Sequence, residues 1–216
     1  MIITIDGPAG SGKSTIAEEV AKKLKFIHFN SGSLYRAIAA YAIVHNLTVE
    51  YLNANVDKIT LNVKFKGKTQ YVYVNDEDMT ARLRDNEVSI LSPTVSINPA
   101  IRKIVDNCQR SFATKHNLVV DGRDIGSFVF PNAEFKFYLD CEIMERARRR
   151  FKEEKEKNPS ITLEEIARQI EIRDEIDRNK KIAPLVIPKG AIIIDSTNMT
   201  ITDEVDAIIS HVENNK

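Results

Sequence analysis

Gly7-Pro8-Ala9-Gly10-Ser11-Gly12-Lys13-Ser14 stands directly after the apolar run Met1 to Ile5 and directly before a helical repeat, and it fits the pattern G-x-x-x-x-G-K-[ST]. Three glycines within six residues let the backbone turn tightly around a phosphate chain, so that its N–H groups and the start of the next helix face the anion. Lys13 then reaches the outer phosphates, and the Ser14 hydroxyl is placed to hold Mg²⁺. Gly7 to Ser14, with Thr15 behind them, are therefore expected to bind a nucleoside triphosphate. The open question is where its phosphoryl group goes.

Outward from the cradle, Ile16, Ala17, Val20, Ala21 and Leu24 repeat at helical spacing. Short apolar runs at Phe26 to Phe29, Leu118 to Val120, Phe135 to Leu139 and Ala191 to Ile194 join Met1 to Ile5 as candidate buried strands, and Asp121, Asp140 and Asp195 close three of them. Strands separated by helical stretches predict an α/β fold of the P-loop NTPase type with a five-stranded parallel sheet. Ligands of such sheets bind beyond the carboxyl ends of the strands, where Gly7, Asn30 and Asp121 fall. A closing helix with Val205, Ile208, Ile209 and Val212 on one face is expected to start at Thr202 as N-cap.

Two stretches lie outside that sheet. Leu61 to Val74 alternates with period two around Lys66-Gly67-Lys68, which predicts a β-hairpin in a small lobe. From Arg148 to Pro184 the chain is strongly charged, breaks at Asn158-Pro159, and resumes as a helix capped by Thr162 with Glu165 three residues on. This arm reads as a mobile lid.

Composition narrows the class. The 216 residues are 43% hydrophobic, and 31 basic side chains balance 31 acidic ones, so no net basic field attracts nucleic acid or an anionic membrane. The longest apolar run, Ala37 to Val44, is too short to cross a bilayer, which predicts a soluble, cytoplasmic protein. Cys108 and Cys141 lack metal-type spacing and read as buried reduced thiols, and the four histidines are scattered. A GTPase would carry Asn/Thr-Lys-x-Asp, but Thr114-Lys115-His116-Asn117 and Asn179-Lys180-Lys181-Ile182 both lack the acid. A nucleic-acid motor would be larger and more basic.

The chain does hold arginines apart from the cradle. Arg36 in Ser31-Gly32-Ser33-Leu34-Tyr35-Arg36 and Arg123 in Asp121-Gly122-Arg123-Asp124 each follow an expected strand, so both guanidinium forks could hold a second phosphate. Asp121 is placed to influence the magnesium or its waters. Arg173 and Asp177 lie four apart on one helix face. Arg146, Arg149 and Arg150 could touch the donor nucleotide, or could simply pair with Glu142, Glu145 and Glu153 along a charged face.

Taken together, these residues resemble the bacterial cytidylate kinase family. The resemblance runs nearly end to end, through I-D-G-P-A-G-S-G-K-S (Ile5 to Ser14), S-G-S-L-Y-R (Ser31 to Arg36), D-G-R-D-I-G (Asp121 to Gly126), V-F-P-N-A (Val129 to Ala133), R-D-x-x-D-R-N (Arg173 to Asn179) and A-P-L (Ala183 to Leu185). It implies one kinase domain over 1–216, with a core of 1–33, 96–150 and 185–216, a monophosphate-binding lobe at 34–95 that carries the β insertion, and a lid at 151–184. It implies transfer of the γ-phosphoryl of MgATP to CMP or dCMP by a monomer with small nucleotides as its partners. By position, Ser31, Arg36 and Arg123 would meet the acceptor phosphate, Arg102 and Asp124 the cytosine, Arg173 and Asp177 the sugar and its phosphate, and Lys180 the closed-lid phosphates. Lys13, Arg123 and Asp121 would be catalytic, and Arg149 would join the cradle on ATP.

Three positions depart from the family pattern. Asn30 stands where an Asp is common, Pro93 (beside Ser92) where a base-reading Ser is common, and Lys180 where some members have Arg. These bear on base preference and phosphate grip. Two other readings of the cradle stay open: a kinase of another small metabolite such as shikimate or dephospho-coenzyme A, and a non-catalytic nucleotide-binding module.

Overall fold

The computed structural model describes residues 1–156 and 158–215, apart from the side chain of Glu153. In chain order the elements are β1 (Ile2–Asp6), α1 (Lys13–Leu24), β2 (Ile27–Asn30), α2 (Gly32–Val44), α3 (Val49–Ala54), β3 (Leu61–Lys66), β4 (Thr69–Val74), β5 (Glu77–Asp78), α4 (Asn86–Ser96) and α5 (Pro99–Ala113). Then follow β6 (Leu118–Gly122), β7 (Phe135–Asp140), α6 (Ile143–Lys155), α7 (Leu163–Arg178), β8 (Ile192–Asp195) and α8 (Ile201–Asn214). The chain packs as two units, one of Met1–His28 with Asn117–Lys216 and the other of Phe29–His116.

The larger sheet has five strands in the order β2-β6-β1-β7-β8. β1 lies parallel to both β6 (Ile3 opposite Val119, Ile5 opposite Asp121) and β7 (Ile3 opposite Phe135, Ile5 opposite Phe137). β7 in turn runs parallel to β8. All five expected strands form within a residue or two of their predicted bounds, and the cradle joins β1 to α1 as a P-loop fold requires. Ile3, Ile5 and Leu139 from the strands, Ile16, Ala17, Val20 and Ala21 from α1, and Val205, Ile208 and Val212 from α8 make one buried core. Fully burying one such Ile, Leu or Val side chain contributes about 1.5–3 kcal/mol, so this face fixes where the β1 carboxyl end, and with it the cradle, must stand.

The C-terminal helix starts two residues earlier than expected. Thr200, not Thr202, is the N-cap: its hydroxyl accepts the Asp203 amide while the Asp203 carboxylate accepts the Thr200 amide. A reciprocal box satisfies two otherwise orphaned donors, whereas a cap at Thr202 would leave the first turn unanchored. α7 carries the same device, with Thr162 and Glu165 in the expected positions.

In the second unit β3 and β4 form the expected antiparallel hairpin, extended by the short β5. The unit reaches beyond 34–95 on both sides, and α5 packs on β3 within it. Phe29, Phe65 and Phe112 meet with ring centroids 5.3–6.3 Å apart. Cys141 is buried but Cys108 is only half-buried, and burial pushes the Cys108 thiol up to about 11. Among the described residues no helix is long and apolar enough to cross a membrane.

Candidate active site

The cradle is a turn forced by its backbone. Gly7 has φ +152°, and a Cβ there would stand 2.2 Å from the Leu139 carbonyl oxygen, so only glycine lets β1 leave the sheet against the end of β7. Gly12, at φ +87°, is the residue from which α1 starts. The buried Lys13 ammonium curls back over the cradle, donating to the Pro8 carbonyl and, at 3.1 Å, to Ser11 Oγ. Burial and the nearby Arg123 guanidinium hold its pKa well below the ordinary lysine value, against the pull of Asp121, Asp174 and Asp6.

Beside the start of α1, Ser14 Oγ donates to Asp121 Oδ2 at 2.6 Å, and His28 Nε2 lies 2.7 Å from Asp121 Oδ1. Burial alone would raise the Asp121 carboxyl, but the His28 contact, the Ser14 hydroxyl and Lys13 bring it below the usual carboxylate value. The arrangement is thus a hydroxyl and an ionised carboxylate side by side at the mouth of the cradle. Such hard oxygen donors suit Mg²⁺, which keeps several waters and takes one or two protein ligands besides the phosphates. Among the described residues no cluster of three or more metal-type ligands occurs.

The loop after β6 is pinned from β1. Asp6, buried at the end of that strand, accepts the Ile125 and Gly126 amides at 2.7 Å each and so sets the π-helical turn Ile125–Val129 that follows Asp124. Burial pushes the Asp6 carboxyl up to about 7, with the two amides pulling the other way. Asp124 is buried at the head of that turn.

Beyond it, the buried Asp177 gathers three cations. Arg123 Nε donates to its Oδ2 at 3.0 Å, Arg173 Nε reaches the same oxygen at 3.3 Å, and Lys180 Nζ lies 2.7 Å from Oδ1. Burial would raise this carboxyl, yet Arg123, Arg173 and Lys180 hold it far below the usual range. The expected Arg173–Asp177 face is present, and the Lys180 side chain, 7% exposed, joins the same cluster.

Arg149, expected at the donor, lies against the cradle: a Cβ built on Gly12 would meet its Nη1 at 3.6 Å. Its guanidinium donates to the Ser196 carbonyl at 2.7 Å and faces the buried Glu204 at 3.6 Å. Arg146 is not part of a charged surface face. It is buried and paired with Asp174. Arg150 keeps a loose pairing with Glu154 at 3.8 Å, while Glu153 lies outside the described side chains.

In the second unit, Ser31 is buried at the start of α2. Asn30 accepts the Ser33 amide through Oδ1 and is tied to the hairpin by Gln70, whose Nε2 donates to the Asn30 carbonyl at 3.2 Å. Arg36 donates to the Leu83 carbonyl at 3.1 Å, and Arg102 donates to the Ser96 carbonyl at 3.3 Å while lying over the Tyr35 ring. Pro93 sits inside α4, and its carbonyl accepts the Ser96 hydroxyl at 2.8 Å.

His28, Asp174 and Glu204 were not singled out as site residues from sequence, and Arg146 was weighed only as a donor contact or as part of a charged face. A signal existed for Asp174: it continues the four-residue ladder Ile166, Ile170 down the buried face of α7, where an acid implies a buried partner.

Comparison with known proteins gives the family. The family model described as cytidylate kinase matches residues 3–214. A cytidylate kinase of Halalkalibacterium halodurans is 40% identical over 216 residues, spanning 99% of this chain and 97% of its own length. One from Listeria welshimeri is 41% identical over 213 residues, spanning 98% and 95%. Among solved structures, a shikimate kinase from Bacteroides thetaiotaomicron has a TM-score of 0.51 at 16% identity, covering 99% of this chain and 98% of that one, a likeness of fold. With the family pattern running through both units and 40% identity along the whole length, the chain belongs to the cytidylate kinase family.

Proposed function

We propose that this chain transfers the γ-phosphoryl group of ATP to CMP or dCMP, giving CDP or dCDP and ADP. The observation that carries the reading is the gathering of Arg123, Arg173 and Lys180 on one buried carboxylate, Asp177, in the same packed unit as the cradle. A nucleotide-binding module with no acceptor would have no use for cations held that way, since burying charge is costly unless it is put to work.

On this reading Gly7 to Thr15 wrap the donor phosphates, Lys13 neutralises the outer ones, and Arg149 lies over the cradle beside the nucleotide. Ser14 and Asp121 would hold Mg²⁺, which when bound draws charge from the transferring phosphoryl group. His28 keeps Asp121 oriented and ionised. Arg123 would present its remaining N–H donors to the acceptor phosphate while Asp177 fixes its direction, and Arg173 and Asp177 would meet the sugar. Ser31 and Arg36 would take the acceptor phosphate, and Arg102 and Asp124 the cytosine. The attacking atom is already an anionic phosphate oxygen, so positioning and charge neutralisation suffice, with no covalent nucleophile. Residues 34–95 would be the monophosphate-binding lobe, and 151–184 the lid that keeps water from the donor.

The same reading makes the protein a cytoplasmic monomer of pyrimidine nucleotide metabolism, with small nucleotides as its partners. Balanced charge, which leaves no net basic field for nucleic acid or an anionic membrane, supports small nucleotides as the partners. The test is ADP release from MgATP with CMP, dCMP, UMP, shikimate and dephospho-coenzyme A offered in turn. CMP and dCMP should turn over fastest. Turnover with shikimate or dephospho-coenzyme A alone would assign the cradle to another metabolite, and no turnover with any acceptor would leave a binding module.

A further inference from the structure

One residue of the cradle is gripped by a buried ion pair. The Ala9 amide donates to Asp174 Oδ1 at 2.8 Å, and the Ala9 carbonyl accepts from Arg146 Nη1 at 2.8 Å. The same Arg146 nitrogen is paired with Asp174 Oδ2, and Arg146 Nε donates to the Cys141 carbonyl at 2.9 Å. Both side chains are about 95% or more buried. Ala9 packs with Ala147, Ile166 and Ile170, and a Cβ on Gly10 would touch Arg146 and Ile170 at 3.4 Å.

The crest of the cradle is thus held from α6 by Arg146 and from α7 by Asp174. The Ala9 amide is committed to Asp174. Three residues further along α7, Asp177 takes Arg123. α7 is therefore fastened at two points one turn apart, to the cradle by Asp174 and to the loop after β6 by Asp177.

We propose that Asp174 and Arg146 are positioning residues for the phosphate donor: by holding both polar groups of Ala9 they set the curvature of the cradle, and the seating of α7 thereby governs the grip on ATP. A backbone cradle binds an anion by aiming several N–H groups at once, so a crest free to rotate aims fewer of them. This rests on the cradle being the ATP site, and the test reads ATP binding directly, separately from CMP turnover.

Removing one member alone leaves the other charge buried without its partner, and that variant can fail to fold. The decisive variant is therefore the apolar pair R146M/D174L, which leaves no buried charge unpaired, although the Ala9 amide and carbonyl and the Cys141 carbonyl lose their partners. D174N is made beside it as the conservative change that keeps the shape. Thermal unfolding and calorimetric titration of the full chain with MgATP, and separately with CMP, are the measurements. R146M/D174L should unfold at a lower temperature than wild type but stay folded at the temperature of the titrations, and there bind ATP at least tenfold more weakly, with CMP affinity changed less than twofold. D174N, still able to offer one oxygen to the Ala9 amide, should fall between. Unchanged ATP affinity in the folded double variant, or equal losses for both nucleotides, overturns the proposal. If the double variant does not fold, D174N decides by the same split between ATP and CMP. Failure of CMP turnover in the wild type would instead count against the proposed reaction.

Discussion

The Ser14 hydroxyl lies 2.6 Å from an Asp121 carboxylate oxygen, although the two residues stand 107 positions apart in the chain. The parallel pairing of β1 with β6, Ile5 opposite Asp121, brings them to the same sheet edge. One residue starts the helix after the cradle and the other ends a neighbouring strand, so the contact is a direct product of the fold.

Asp121→Asn should lower kcat on the order of 10²-fold, the scale of a small misplacement of reacting groups, and should weaken the dependence on Mg²⁺. Steady-state rates across a magnesium titration check this. Rates and magnesium dependence like those of wild type would remove Asp121 from the site.

Arg123→Ala should weaken CMP binding while leaving ATP binding within twofold. Loss of a charge-assisted contact is worth about 1.5–3 kcal/mol, roughly ten- to a hundredfold in affinity. Asp177 keeps Arg173 and Lys180 after the change, so the fold is not left with an unpaired buried carboxylate. Parallel titrations with the two nucleotides decide it, and an equal loss for both would place Arg123 elsewhere.

Glu204→Gln should flatten the dependence of stability on pH. Burial raises the Glu204 carboxyl from its ordinary 4.5 to about 7, against the pull of Arg149. A carboxyl raised in the folded state binds more protons there than in the unfolded chain, so stability falls as pH rises from about 4.5 to about 7. The glutamine cannot ionise and should lose less stability over that window. Urea unfolding of both proteins at pH 5 and pH 7.5 checks the sign, and parallel changes in the two would show that Glu204 does not titrate there.

Pro93→Ser should raise the preference for CMP over UMP. Pro93 offers neither a hydroxyl nor an amide N–H, but its carbonyl holds the Ser96 hydroxyl, and the Ser96 carbonyl takes Arg102, the residue assigned to the base. One hydrogen bond is worth on the order of 1 kcal/mol, several-fold in discrimination. Asp124→Ala should instead lower the ratio below that of wild type. Catalytic efficiencies on both nucleotides measure it, and a ratio unmoved by Pro93→Ser would show that this position takes no part in reading the base.

Local pattern accounts for what was legible before the structure. The cradle is written in eight consecutive residues and the strands in short apolar runs, and the central strands β1, β6 and β7, largely buried on both faces, need no distant partner to be recognised. The Thr162 box and the Arg173–Asp177 pair were equally legible, since three- and four-residue spacings fix which side chains meet on a helix. Arg146 was misjudged for the opposite reason. Its neighbours on α6 offered local glutamates, but its partner lies 28 positions away on α7, and only tertiary packing brings the two together. His28 was passed over because one imidazole on a short strand carries no periodic signal; its meaning comes from Asp121 on another strand.

The buried Lys13 has a consequence for how donor binding is measured. A lysine whose pKa is drawn down by burial and by Arg123 gives up its proton at a lower pH than a solvated lysine does. A polyanion seated in the cradle favours the charged form and draws the pKa back up. Between the two values binding must take up a proton from the buffer. The heat of ATP binding in alkaline solution should then vary with the ionisation enthalpy of that buffer, so titrations of one protein in Tris and in HEPES would differ by the fraction of a proton that Lys13 collects.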